Sequence, residues 1–98
     1  MVRHVVMFEF NEGVTPTQVE ECLGELRELP AKIPEIRDYR FGTDLGVNSG
    51  NFDMVVTGDF DTVADYLVYR DHPDHQRVIR EILLPKVAQR RAVQFEWT

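Results

Sequence analysis

A chain of 98 residues, 43% apolar and 29% charged, has room for one modest core and the composition of a folded domain rather than a disordered segment. Its formal net charge of −6, from 17 acidic against 11 basic residues, repels phosphate backbones, so no nucleic-acid partner is expected. Cys22 is the only cysteine, which excludes an intrachain disulfide and a multi-cysteine metal cluster; no apolar run exceeds Val5 to Phe8, so neither a signal peptide nor a membrane partner is expected, and the reading is a cytoplasmic protein.

The first element, His4 to Phe10, alternates as a strand. His4, Val6, Phe8 and Phe10 share one face, Val5 and Met7 the other, and with both faces apolar both should be covered. After a turn at Asn11 to Gly13, Thr15-Pro16-Thr17-Gln18 combines an N-cap, a proline at the first helical position and a capping-box glutamine. Val19, Cys22, Leu23, Leu26 and Leu29 then keep helical spacing as far as Pro30, with Cys22 buried and the Glu20, Glu21, Glu25, Arg27 and Glu28 side solvated.

A second strand is expected from Ile36 to Phe41, closed by Gly42, and the Thr43 to Asn51 loop has the turn chemistry of a hairpin connection. The third strand, Phe52 to Phe60, sets Phe52, Met54, Val56, Gly58 and Phe60 against Asp53, Val55, Thr57 and Asp59. Asp53, at its entry, either reaches a pocket mouth or forms an exposed acidic flank.

Asp61-Thr62-Val63-Ala64-Asp65 opens a second helix by the same capping logic. It runs into Tyr66-Leu-Val-Tyr69-Arg-Asp-His72-Pro73-Asp-His75, where Pro73 must interrupt it, and the helix resumes beyond to stop at Pro85. Counting by helical spacing from His75 gives Val78, Ile79 and Ile82, with Leu83 beside them, so His75 points inward. The bend could bring the Tyr69 hydroxyl near this imidazole. Such a pair is either acid/base machinery or a satisfied core histidine beside an ordinary core tyrosine. A last strand, Arg91 to Thr98, alternates Ala92, Gln94 and Glu96 against Val93, Phe95 and Trp97.

The order βαββαβ folds most simply into an α+β, ferredoxin-like protomer, a four-stranded antiparallel sheet with both helices on one face. Val5, Met7 and Val55 then leave the other face apolar. A second copy of the sheet is the economical cover, so a homodimer through that face, a dimeric α/β barrel, is expected.

His4-Val-Val-Met-Phe-Glu-Phe10, Ile33-Pro34-Glu-Ile36 and Tyr69-x-x-His72-Pro73-x-His75 together resemble the stress-responsive α/β-barrel (Dabb) family through nearly the whole chain. The resemblance implies a dimeric barrel of ferredoxin-like protomers; family members range from plant stress proteins that assemble into stable oligomers to a cofactor-free polyketide cyclase. It further implies Tyr69 and His75 as the catalytic pair if there is catalysis, and His4 as a pocket-lining residue. The substrate-binding wall is expected from His4, Val6, Phe8, Leu23 and Val78, with Asp53 in place of a histidine of the cyclase; His72 fixes the bend.

Two functions follow. One is a stress-responsive dimer with a pocket for a small apolar or aromatic ligand, the same residues serving as core and lining. The alternative is a cyclase or lyase in which His75 removes a proton beside a carbonyl, Tyr69 hydrogen-bonds the enolate oxygen and His4 orients the substrate. No cofactor is expected: Asp71, His72, Asp74 and His75 offer only two imidazoles, split by Pro73, and no glycine-rich phosphate loop is present.

Overall fold

The computed structural model describes all 98 residues, Met1 to Thr98. Strands β1 (Val2–Phe10), β2 (Asp38–Thr43), β3 (Met54–Phe60) and β4 (Val87–Glu96) form one antiparallel sheet in the order β2-β3-β1-β4. Helices α1 (Pro16–Lys32), α2 (Val63–Asp71) and α3 (Pro73–Arg77) complete the ferredoxin-like arrangement. No helix is long and apolar enough to cross a membrane.

The alternation of β1 decides where the core lies. Val2, His4, Val6 and Phe8 are buried on the helix side, where Val6 and Phe8 join Met54, Val56 and Phe60 of β3 and Cys22, Leu26 and Leu29 of α1 in one core. The start of α1 is fixed as its sequence demands: Thr15 accepts from the Gln18 N–H, and the Gln18 side chain accepts from the Thr15 N–H.

Several boundaries differ from the sequence expectation. Helix α1 passes through Pro30 to Lys32, because a proline in the last turn forfeits a single backbone bond and Leu29 still accepts from Ile33 N–H. Strands β2 and β3 each begin two residues later than expected, at Asp38 and Met54. Strand β4 begins four residues earlier than expected, at Val87, so Arg90 lies within the sheet. Beyond α3 the chain widens into a π-helical turn, Val78–Leu83, and closes with a 3₁₀ turn, Leu84–Lys86, that contains Pro85.

The helix-free face carries Val5, Met7, Val55, Val93 and Phe95 together. Register sets Val5 opposite Val93, and Met7 opposite Val55. Val93 is 56% exposed and Phe95 45% exposed in the protomer. Beside them Arg3 clamps Asp59 with two bonds, 2.8 and 2.9 Å, and lies 4.6 Å over the Trp97 ring.

Candidate functional site: an imidazole and phenol cavity under the sheet

Helix α2 ends at His72, whose extended backbone before Pro73 breaks the helical ladder. The His72 Nδ1 accepts from the Asp74 N–H at 3.1 Å and caps α3, so this imidazole is spent on the bend. The turn folds His75 back onto Tyr69, with ring centroids 4.1 Å apart. His75 Nδ1 lies 3.0 Å from the Arg70 carbonyl oxygen. A carbonyl only accepts, so the proton sits on Nδ1 and Nε2 keeps its lone pair with no protein partner. Burial pushes the His75 pKa down and so favours the neutral ring, partly opposed by the bond to Arg70.

His4 enters from β1. Gln94 Nε2 stands 2.8 Å from its Nδ1, and an amide nitrogen donates, which leaves the His4 proton on Nε2. Burial, reinforced by the charge of Arg90, lowers its pKa to about 4. One imidazole is thus arranged as an acceptor and the other as a donor.

The Tyr69 hydroxyl does not meet His75. It lies 2.8 Å from the hydroxyl of Tyr39, on β2. Burial raises the Tyr39 pKa to about 12 and that of Tyr69 well above its ordinary value, so both stay protonated. Within the pair one phenol donates to the other, and one proton remains to be given elsewhere. Tyr66 joins them, its ring 5.1 Å from His4 and 5.6 Å from Phe60.

Gly58 makes room for this cluster. In the sheet it lies between His4 and Tyr39, and a Cβ there would meet Phe60 Cε2 at 3.1 Å and Tyr39 Cδ1 at 3.3 Å.

Between sheet and helices these residues enclose a cavity of about 160 Å³, walled by His4, Tyr39, Tyr66, Tyr69, His75 and Arg90 with Val6, Phe8, Ile79 and Leu83. A larger hollow, about 560 Å³, opens on the other face between Met7, Val55 and the Thr43 to Phe52 loop. It holds no imidazole or phenol; those groups line the smaller cavity.

Of the sequence-expected residues, His75, Tyr69, His4, Val6 and Phe8 border this cavity. Three stand elsewhere. Leu23 and Asp53 border a separate recess with Phe10 and Val19. The Asp53 carboxylate accepts from Phe10 N–H at 2.8 Å and its own N–H donates to Phe8, so it fastens the end of β1. Val78 turns into the core, 2% exposed, because the wide π turn puts Ile79 and Leu83 on the wall instead.

Sequence reasoning missed Tyr39, Tyr66, Gln94 and Arg90. The alternation Ala92, Gln94, Glu96, extended backwards, reaches Arg90 and held the signal for that residue. No three His, Cys, Asp or Glu side chains converge on a common point.

The architecture is that of a ferredoxin-like α+β domain with an aromatic cavity between its helices and sheet. The chain belongs to the stress responsive A/B barrel domain (Dabb) family, whose model matches residues 2–97. It is similar to a dimeric ferredoxin-like protein of unknown function from Thermobifida fusca, at 45% identity and a TM-score of 0.91 over 98% of this chain and 90% of that one. A dimeric protein of unknown function and ferredoxin-like fold from Bacteroides fragilis matches at 28% identity, TM-score 0.80, over 98% and 95%. The hydroxynitrile lyase of Passiflora edulis shares the fold at 22% identity, TM-score 0.85, over 96% and 90%. No curated protein matches the chain. The dimeric relatives support self-association of this protein.

Proposed function

We propose that this protein is a homodimer, joined through the Val5, Met7, Val55, Val93 and Phe95 face, that holds a small apolar or aromatic molecule in the cavity under His75 as its role in the stress response. The observation that carries this reading is the cavity itself. A space of about 160 Å³ walled by aromatic rings suits a one-ring molecule, since an apolar cavity of roughly 150 Å³ takes up benzene. The polar groups at its edge are already oriented by partners on their far sides, Gln94 for His4 and the Arg70 carbonyl for His75, as expected where a site is organised before its ligand arrives. Titration of isotope-labelled protein with phenol tests the reading: shifts confined to amides around Tyr39, Tyr69 and His75 support it, and none at millimolar phenol sinks it.

The second reading, a cofactor-free lyase or cyclase, is favoured by one feature, the unpartnered Nε2 of a neutral His75. In it Nε2 takes a proton from carbon beside a carbonyl, the electron pair moves into the enolate, and the free phenol proton of the Tyr39–Tyr69 pair hydrogen-bonds the enolate oxygen. His4 Nε2–H would orient the substrate. Deuterium exchange into the methyl group of acetophenone checks it: acceleration by wild type, lost in His75→Ala, is expected, and equal rates for the two proteins would remove the mechanism.

A further inference from the structure

Arg90 stands on β4 opposite Phe8 and forms part of the cavity wall. Its guanidinium has no carboxylate within ion-pair distance, although six of the other arginines (Arg3, Arg27, Arg37, Arg40, Arg70 and Arg77) are paired with acids. The second arginine of the cavity, Arg70, is held by two bonds to Asp71, 2.9 and 3.1 Å long. No Asp or Glu lines the cavity. With both histidines neutral, Arg90 is the one uncompensated charge on the wall of a protein whose net charge is −6. It is exposed at the cavity's edge, where an anion arriving from solvent meets it first.

We propose that the ligand of this cavity is a compact organic anion, a carboxylate of one ring or smaller, with Arg90 holding the carboxylate at the mouth and the ring stacked inward among Tyr66, Tyr69 and His4. The proposal rests on reading the cavity as a ligand site and adds the chemical class. The planar guanidinium fork matches a carboxylate with two parallel hydrogen bonds, which a neutral amide cannot reproduce. Since Arg90 is partly in solvent, the attraction is weakened by salt.

The experiment compares benzoate with benzamide, nearly equal in shape and different in charge, by titrating labelled wild type and Arg90→Gln at neutral pH. Arg90 is exposed, so the variant is expected to fold, and its unperturbed amide spectrum away from β4 confirms this. Wild type should bind benzoate about tenfold more tightly than benzamide, and the variant should lose that preference while keeping its benzamide affinity. Equal affinities in wild type, or a benzoate preference that survives in Arg90→Gln, overturn the anion proposal and leave the cavity reading standing. If neither probe shifts the amides around Tyr69 and His75, both fall together.

Discussion

The imidazole of His75 stacks on the ring of Tyr69, centroids 4.1 Å apart and planes tilted by 31°, while the Tyr69 hydroxyl turns away to Tyr39. The contact is between ring faces, and it follows from the cap that His72 places on α3. His75→Ala deletes both the stack and the bond to the Arg70 carbonyl. A loss of about 2 kcal/mol is expected, from roughly 1 kcal/mol for each. Urea unfolding at fixed protein concentration measures it, and an unchanged or raised stability would show that the fold keeps this ring at its own expense.

The two phenols should behave as one unit. Tyr39→Phe leaves the buried Tyr69 hydroxyl without a partner, and Tyr69→Phe does the same to Tyr39, each at about 1–2 kcal/mol. The double variant is expected to lose clearly less than the sum. Additive losses in a double-mutant cycle would mean that the 2.8 Å contact carries no coupling.

Both inward histidines have pKa values below the ordinary 6.5, His4 at about 4. The unfolded chain therefore binds these protons first as pH falls. Their contribution is complete above the unfolded value and is lost between it and the folded one, so stability should fall from about pH 6.5 towards about 4. The His4 displacement alone corresponds to about 3 kcal/mol. Unfolding free energies measured across this range should fall less steeply in His4→Gln; an identical slope would place the His4 pKa near 6.5.

Gly58→Ala tests the packing of the site. The added methyl group meets Phe60 and Tyr39 at 3.1 to 3.3 Å, both through ring atoms, Phe60 fully buried and Tyr39 on the cavity wall. A cost of about 1–3 kcal/mol is expected, with the Tyr39 and Tyr69 resonances displaced. Wild-type stability together with an unchanged spectrum would mean the rings yield freely.

Val93→Glu places a charge opposite Val5 on the helix-free face. If that face joins two copies, light scattering at micromolar concentration should fall from the two-chain to the one-chain mass, with the protomer still folded. A variant that stays dimeric would move the interface elsewhere.

Local signals told much of this in advance. The period-2 alternation of His4 to Phe10, the Thr15 to Gln18 box and the Pro73 break each act within a few residues, and they are enough to set the element order and to sort the residues of β1 into its two faces. Pro30 misled because proline's effect depends on its place in the helix, and only the backbone bonds beyond it show that α1 continues. The π turn has no sequence signature of this kind, so the α-helical count from His75 put Val78 on the wall where Ile79 and Leu83 stand.

By itself the sequence determined the βαββαβ order, the apolar character of both sheet faces and the inward direction of His75, because each depends on spacing along the chain, whereas His4 as a pocket-lining residue came from the family resemblance. Register between strands was decided only in three dimensions. Pairing β2 with β3 brings Tyr39 beside Gly58 and within reach of Tyr69, 30 residues away. Pairing β4 with β1 sets Gln94 against His4 and Arg90 against Phe8, from the far end of the chain. These contacts fix the proton on His4 and the charge at the cavity mouth. They depend on hydrogen bonds between segments that no local pattern connects.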